Sequence, residues 1–334
     1  MRIGLTYDLR DDYAGRGLSE EALAEFDSPE TVAAIEAALA LSGHETDRIG
    51  HVRALAARLV AGDRWDLVFN IAEGLSGRSR EAQVPALLEV FDQPYTFSDP
   101  LTQAAGLDKA VAKRLVRDAG VPTAPFAVLE TDAHAEACDL SFPVFVKPIA
   151  EGTGKGCELA SKCRNRAEMA AAGRRLRARF GQPAIAEPFL PGREFTVGVL
   201  GNGSAAAVIA VMEILLLETA EAEVYSFDNK EFCEARVVYR LADDGEAREA
   251  GRVALAAYRA LGCRDAARLD LRSDAAGRPQ FLEVNTLAGL HPTHSDLPIL
   301  AAKAGMPYEV LIGRIVEAAA ERYGLLPHGL RRAS

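Results

Sequence analysis

Hydrophobic and polar positions along the first hundred residues alternate between a strand pattern and a helix pattern. The strand patterns cover residues 3–7, 65–71 and 95–97, and the helix patterns cover residues 31–42 and 81–90. Ser28-Pro29-Glu30 supplies a capping side chain, a proline for the first helical position and an acid for the first turn of one helix. This βαβ order predicts a doubly wound parallel-sheet domain at residues 1–104.

The pattern changes after a helix that has Asp108 and Lys109 in its first turn and ends at Gly120. Pro122 and Pro125 then indicate a link into a new unit. Downstream, strands are predicted at residues 126–129, 143–147, 184–187, 195–200, 206–215 and 236–239, and helices at residues 166–180, 246–261 and 308–323. We therefore expect an α/β domain followed by two α+β units, at residues 105–192 and 193–334.

Composition limits the function classes. The chain has 334 residues, 49% of them hydrophobic and 26% charged, and a net charge of −10. An acidic protein of this kind is not expected to bind nucleic acid, although a few lysines in one cleft still suffice for a nucleotide. The five cysteines are scattered and odd in number, which favours a reducing cytoplasm. We expect no signal peptide, and no apolar run approaches the length of a membrane span.

Residues 268–286, RLDLRSDAAGRPQFLEVNT, read as a β-hairpin. If it folds symmetrically about the Ala276–Gly277 bond, Asp270 lies opposite Glu283 and Arg268 lies opposite Asn285. All four side chains then share one face because side chains alternate along a strand. Such a set predicts a Mg²⁺–phosphate site, the alternative being a solvated face with a cross-strand charge pair. The polar loop that follows, residues 286–295, is placed where binding residues tend to occur.

Two further segments suggest a nucleotide. Lys147 ends an apolar strand and is either an edge residue or a cation aimed at phosphate. The loop after it, whose backbone amides are able to close over anionic oxygens, is neither a P-loop nor a dinucleotide fingerprint, and an ordinary turn is the alternative. It consists of Glu151, Gly152, Thr153, Gly154, Lys155 and Gly156.

Glu187 ends another apolar strand, and Glu194 begins the next one. A strand, a short connector and a second strand are able to offer backbone groups to an adenine edge, and the second acid is able to accept from ribose hydroxyls. A plain turn with exposed acids is the alternative. The connector residues are Glu187, Pro188, Phe189 and Leu190.

Taken in order, these segments resemble the ATP-grasp superfamily and, within it, the D-alanine–D-alanine ligases. The resemblance rests on Leu107-Asp108-Lys109, Pro143–Pro148, the glycine loop, Ile185–Val197, Arg268–Leu271 and Leu282–Thr286. It implies an ATP-grasp fold, in which two α+β subdomains clasp ATP beside the N-terminal domain. It also implies an ADP-forming ligase that makes a peptide bond through an acyl phosphate, with ATP and two Mg²⁺ ions, or Mn²⁺ in their place.

The resemblance also implies roles for single residues. Lys109, Lys147 and the loop of residues 151–156 would contact the phosphates, Glu187 to Leu190 the adenine, and Glu194 the ribose. Asp270, Glu283 and Asn285 would hold the metal. Arg268 would bind the acceptor's carboxylate, and Lys230 would contact phosphate and the reaction intermediate. Amino acids are the implied substrates, and a homodimer is the implied assembly.

Departures from the family pattern concentrate where the amino acids would bind. Glu73 stands where the ligases usually have a histidine, and Lys155 stands where they usually have an apolar residue. Glu25, Asp27 and Glu30 all lie near the position of the acid that holds the donor's ammonium, and the sequence does not choose among them. The last loop is one residue longer, and we expect substrate contacts from four of its residues. For its two histidines, polar loop positions without a substrate role are an equally open alternative. The four residues are Gly289, His291, His294 and Ser295.

Two rival functions follow from these departures. One is an ATP-grasp ligase that joins other amino acids or uses a different acceptor. The other is a nucleotide-binding regulator without turnover, which the complete set Asp270, Glu283 and Asn285 disfavours.

Overall fold

The computed structural model describes residues 1–325 except Ala14, Ala24 and residues 218–236, and its strands form three sheets. The strands are β1 (Arg2–Thr6), β2 (Glu45–Arg48), β3 (Leu67–Asn70), β4 (Ala127–Leu129), β5 (Val144–Pro148), β6 (Lys162–Cys163), β7 (Ala184–Pro188), β8 (Glu194–Leu200), β9 (Ala207–Leu216), β10 (Val237–Leu241), β11 (Ala266–Ser273) and β12 (Pro279–Asn285). The helices are α1 (Glu20–Leu23), α2 (Pro29–Leu41), α3 (Val52–Val60), α4 (Gln83–Val90), α5 (Pro100–Leu107), α6 (Lys109–Asp118), α7 (Asp132–Glu136), α8 (Arg166–Phe180), α9 (Gly245–Ala260), α10 (Asp296–Lys303) and α11 (Tyr308–Arg322).

The N-terminal sheet is parallel, in the order β2-β1-β3, with helices on both faces, which confirms the doubly wound prediction. On one face Ile3 and Leu5 share a core with α2 and α11. On the other face Trp65 and Val68 pack with α3 and α4. A strand covered on both sides is mostly apolar, and β3 follows this pattern at Leu67, Val68 and Phe69 before it ends at the buried Asn70.

The other two sheets are antiparallel and face the site. One has the order β4-β7-β5-β6 and packs against α8. The other has the order β10-β9-β8-β11-β12 and packs against α9. On β11 the alternation is strict, because Leu269 and Leu271 are fully buried against α9 while Arg268, Asp270 and Arg272 project from the opposite face. Burying each leucine contributes about 1.5–3 kcal/mol, which fixes the face that the polar residues take.

The hairpin register is confirmed where the site lies and wrong nearer the turn. Arg268 pairs with Asn285, and Asp270 pairs with Glu283, as the symmetric hairpin requires. Beyond Asp270 the register shifts by one residue, so that Leu271 pairs with Phe281. The extra residue, Leu282, forms a β-bulge. A bulge turns the side chain next to it, and Leu282 and Glu283 line the same cavity although they are adjacent.

Two other expectations need correction. The predicted strand at residues 95–97 contributes only an isolated bridge between Tyr95 and Val68. Phe97 adopts a positive φ of 69° and gives its backbone N–H to Asp265, so the segment leaves the ladder. The sequence analysis also left seven elements unpredicted: β2, β6, α1, α3, α5, α7 and α10. Of these, α5 has an N-terminal signal, Asp99 followed by Pro100, and Asp99 caps it.

Among the helices of the described ranges, none combines the length and apolar character needed to cross a membrane. The unit boundaries at 104/105 and 192/193 stay predictions. The helix α11 packs beside Ile3 and Leu5 of the N-terminal sheet, so a helix from the C-terminal part of the sequence covers one face of the first sheet.

Candidate functional site

Two adjoining cavities collect the predicted site residues. The inter-sheet cavity, of about 900 Å³, lies between the two antiparallel sheets and is lined from β5, β7, β8, β11 and β12. The N-terminal cavity, of about 1360 Å³, lies between the β11–β12 hairpin, the loop after it and the N-terminal domain. Lys109, Glu151 and Glu283 line both, so these residues mark the junction of the two cavities.

Nearly all the predicted residues line one cavity or the other. Those on the inter-sheet cavity are Lys109, Lys147, Glu151, Gly154, Lys155, Glu187, Pro188, Phe189, Leu190, Glu194, Asp270 and Glu283. Those on the N-terminal cavity also include Glu73, Gly152, Thr153, Arg268, Asn285, Gly289, His291, His294 and Ser295. Gly156 lines neither cavity, because it packs against Pro148, Leu176 and Phe180. Lys230 lies outside the described residues.

Glu187 is a buried ionic centre that the sequence analysis described only in part. Its carboxylate lies 2.8 Å from Lys113 Nζ and 3.2 Å from Lys147 Nζ. Burial opposes ionisation of Glu187, but the two lysines outweigh it and hold its pKa below the usual value. Lys113 Nζ also donates to Thr123 Oγ1 and to the Phe281 carbonyl. Sequence reasoning missed Lys113, although its position four residues after Lys109 put both lysines on one face of α6.

Lysines converge on Glu283 at the junction. Its carboxylate lies 3.5 Å from Lys109 Nζ and 3.6 Å from Lys147 Nζ. Lys109 also donates to the Glu151 carbonyl at 2.5 Å. Burial disfavours the charged form of Lys147, but Glu187 and Glu283 outweigh it and raise its pKa, so Lys147 is a cation at neutral pH. The junction therefore presents fixed positive charges to whatever anion enters it.

The proposed metal ligands are hard oxygen donors held in place by their neighbours. Asp270 accepts from Thr196 Oγ1 at 2.6 Å and from Arg268 Nη2 at 3.0 Å. The Asn285 Nδ2 donates to Asp270 Oδ2 at 3.2 Å, so its carbonyl oxygen is not used in this contact. Two carboxylates and one amide oxygen fit Mg²⁺, which takes oxygen ligands and keeps open positions for phosphate. The described residues hold no cluster of three or more His, Cys, Asp or Glu side chains suited to a metal, so phosphates and water would have to complete the shell.

Arg268 is clamped between two acids. Its Nη2 contacts Asp270, and its Nη1 lies 3.2 Å from Asp296 Oδ2, at the start of α10. Both acids outweigh the burial of the guanidinium and keep its pKa raised. A fixed planar guanidinium at the wall of the N-terminal cavity is suited to a carboxylate or to a developing oxyanion.

Contacts with the N-terminal domain hold the glycine-rich loop closed. Gly152 N–H donates to Glu25 Oε1 at 2.7 Å, and Lys155 Nζ lies 3.1 Å from Glu25 Oε2. Arg80 contacts the same carboxylate at 3.0 Å. Thr153 takes a positive φ of 51°, and its buried hydroxyl has no hydrogen-bond partner among the described residues. An unsatisfied hydroxyl in a loop over a cavity is suited to a phosphate oxygen.

At the opposite end of the inter-sheet cavity lie Phe189 and Arg272. The Arg272 guanidinium stands over the Phe189 ring at 4.9 Å and contacts Glu194 Oε2 at 3.3 Å. Sequence reasoning missed Arg272, whose place in the alternation with Arg268 and Asp270 put it on the same face of β11. A planar cation and an aromatic ring beside an acid form a flat slot suited to a nucleoside.

The three acids that the sequence left open as partners of the donor's ammonium lie in different environments. The Glu25 carboxylate binds the glycine-rich loop. Asp27 lines the N-terminal cavity, and Glu30 is exposed at the start of α2. Glu73 lines the same cavity as Asp27, and its pKa is raised by burial and by the nearby Glu81 carboxylate.

Comparisons with known proteins agree with one another. The sequence model of a family described as D-ala D-ala ligase C-terminus matches residues 115–317. A D-alanine–D-alanine ligase from Bordetella petrii is 36% identical over 272 residues, which are 80% of this chain and 79% of that protein. An uncharacterized protein from Sinorhizobium fredii is 37% identical over 77% of this chain and 75% of its own length.

A solved structure shares the fold. The D-alanine–D-alanine ligase of Bacillus anthracis complexed with ATP superposes with a TM-score of 0.73 at 22% identity, covering 97% of this chain and 99% of that one. At this identity the match bears on architecture alone.

Proposed function

This chain belongs to the D-alanine–D-alanine ligase family of ATP-dependent ligases with an ATP-grasp fold, and we propose that it joins two amino acids through an acyl phosphate at the junction of its two cavities. One observation carries the proposal. Lys109, Glu151 and Glu283 border both cavities, so a nucleotide in one would bring its terminal phosphate to the carboxylate of a substrate in the other.

The inter-sheet cavity suits ATP along its whole length. Phe189, Arg272 and Glu194 form the nucleoside end, and Lys147 with Lys109 form the phosphate end. The glycine-rich loop, held by Glu25, covers the phosphate end and excludes water. Excluding water matters because an acyl phosphate hydrolyses readily, so a closed loop protects the activated carboxylate until the amine attacks.

Asp270, Glu283 and Asn285 would hold Mg²⁺, which neutralises charge on the transferring phosphate when bound. The lysines act on the same charge from the protein side. Lys109 and Lys147 already point at Glu283, so they meet the phosphate without reorganisation. We propose two ions, with Mn²⁺ able to replace Mg²⁺, as the family resemblance implies.

Arg268 is the group we assign to the acceptor. The Arg268 guanidinium is held by Asp270 and Asp296 and lines the N-terminal cavity, where its remaining N–H groups are available to a substrate. There it would bind the acceptor's α-carboxylate and stabilise the oxyanion that forms when the amine attacks the acyl phosphate. The acceptor is therefore an α-amino acid, with D-alanine as the first candidate. We also propose that the protein is a homodimer located in the cytoplasm.

The test is amino-acid-dependent ADP release, with products identified by mass. D-alanine is assayed alone and then paired with a panel of D- and L-amino acids. We expect ADP release together with a dipeptide mass. Equal release with acceptors that lack a carboxylate would contradict the role of Arg268.

A matched pair of variants sharpens this test. Arg268→Lys keeps the charge but loses the planar fork, and it should raise the acceptor KM by about tenfold or more. Arg252→Lys on the exposed face of α9 should leave that KM unchanged.

A further inference from the structure

Three carboxyl groups from the N-terminal domain line the N-terminal cavity. Asp27 lies just before α2, Glu73 lies in the loop after β3, and Glu81 lies in the short 3-10 helix Arg80–Ala82. Segments far apart in the sequence thus bring three acids to one wall. An acidic wall inside a substrate cavity differs from a solvated acidic surface, because burial makes every unpaired charge costly.

Glu81 is the strongest sign that this wall awaits a ligand. Its side chain is only 9% exposed and lines the cavity. None of the side-chain hydrogen bonds or ion pairs among the described residues includes its carboxylate, and Arg80 and Lys109 act on it from beyond ion-pair distance. The carboxyl groups of Glu73 and Asp27 likewise make no side-chain hydrogen bond or ion pair among the described residues, although Arg80 and Arg10 act on them from farther away. A buried carboxylate without a donor is unfavourable unless a ligand supplies one.

The neighbouring charges are already matched. Arg80 and Lys155 both contact Glu25, and Lys155 also reaches Glu151 at 3.4 Å. Arg268 is taken by Asp270 and Asp296. Arg10 is the cation that lines the wall itself, and it acts on Asp27. Arg80 and Lys109 also act on Glu81, although both contact other acids. When all three wall acids are ionised, three carboxylates against the one guanidinium of the wall leave an excess of two negative charges on this side of the cavity.

We infer that the donor substrate is an amino acid with a cationic side chain, whose α-ammonium and side-chain ammonium or guanidinium both face the wall formed by Asp27, Glu73 and Glu81. The inference rests on the proposed function, because it assumes that the donor's carboxylate points to the phosphate at the junction. A single ammonium would neutralise one of the two excess charges. A second cation on the donor neutralises the other.

The ionisation of these groups agrees with this placement. Burial raises the pKa of Glu81 to about 7 and that of Asp27 to about 8. Arg80 and Lys109 act against this shift at Glu81, as Arg10 does at Asp27, whereas Glu25 and Asp8 add to it. A cation brought against the wall would favour the charged forms and release protons.

The experiment compares donors of matched size and different charge, with D-alanine as acceptor and the full-length protein. Lysine, ornithine and arginine are set against norleucine, norvaline and citrulline, in both D and L forms. We expect kcat/KM to be about tenfold or more higher for the cationic member of each pair. Equal or higher values for the neutral members would overturn the inference while leaving the ligase function intact.

Glu81→Gln and Glu73→Gln should each lower the ratio of cationic to neutral kcat/KM by about tenfold. Glu45→Gln, an exposed acid on β2, should not change it. An equal loss for both donor classes would mean that the acids act through structure, and it would overturn the inference.

Direct binding separates the two proposals. Calorimetry measures lysine and norleucine against the protein with Mg²⁺ and a non-hydrolysable ATP analogue. If lysine binds more tightly than norleucine and Glu81→Gln removes the difference, the cationic site stands even if no pair of amino acids releases ADP. In that case the ligase proposal alone fails.

Discussion

Lys113 Nζ lies 2.8 Å from Glu187 Oε2, and Lys113 is closed off from solvent completely. The pair joins α6 to β7, and the Phe281 carbonyl on β12 accepts from the same ammonium. One buried lysine thereby ties both antiparallel sheets together behind the inter-sheet cavity. It also holds Glu187, which in turn positions Lys147.

Removing this ammonium should destabilise the whole protein. In Lys113→Met the side-chain length is kept, but Glu187 loses a partner and the Phe281 carbonyl loses a donor. We expect a loss of about 3 kcal/mol in the free energy of unfolding, measured by urea titration. Lys303→Met, at the exposed end of α10, is the control and should cost less than about 0.5 kcal/mol. A similarly small effect of Lys113→Met would show that the Lys113–Glu187 pair contributes little to the free energy of unfolding.

Glu283→Gln should remove activity and keep the fold. The change deletes one charged oxygen from the metal set and the shared partner of Lys109 and Lys147. We expect kcat to fall by about 100-fold or more and the Mg²⁺ requirement to shift to higher concentration. Thermal unfolding serves as the check on the fold. Near-normal kcat with unchanged Mg²⁺ dependence would refute the metal assignment.

Glu25→Gln should loosen the glycine-rich loop. The Gln side chain still accepts from Gly152 N–H, but it loses the ion pairs with Arg80 and Lys155. Faster hydrogen–deuterium exchange is expected in residues 151–156, together with a several-fold rise in the ATP KM. The control is Glu21→Gln, in the same N-terminal segment as Glu25, which breaks the ion pair between Glu21 and Arg179. If both variants exchange alike, Glu25 does not hold the loop.

The stability of the protein should depend on the protonation of Glu81. Burial raises the pKa of Glu81 from 4.5 to about 7 in the folded state, so the folded state binds the proton more tightly. The stabilisation linked to this proton is present below pH 4.5 and is lost as the pH rises through 7. Glutamine does not titrate, so the Glu81→Gln variant does not lose this stabilisation as the pH rises.

We therefore expect Glu81→Gln to be more stable than the unchanged protein at pH 8.5, by on the order of 2 kcal/mol, with the difference shrinking toward pH 5. Thermal melts across this range, with Glu45→Gln as control, measure it. A constant difference at all pH values would contradict the shifted pKa.

The sequence by itself determined the local elements and the polar face of the hairpin. Alternation with a period of two put Arg268 and Asp270 on one face of β11, and the turn placed Asp270 opposite Glu283. The helix signal at Ser28 was sufficient because a cap acts within three residues of itself, whereas Asp108, expected in the first turn of its helix, is the N-cap of α6. These features depend on neighbours in the chain, so a single sequence contains them.

Only the tertiary structure decided what depends on distant segments. Lys113 meets the Phe281 carbonyl 168 residues away, and Glu25 meets the Gly152 amide 127 residues away. Such contacts depend on how the sheets pack against each other, and the local pattern of hydrophobic and polar residues does not predict that packing. The bulge at Leu282 shifted the hairpin register for the same reason, since side-chain packing on both faces of a strand, and not the turn alone, sets its pairing.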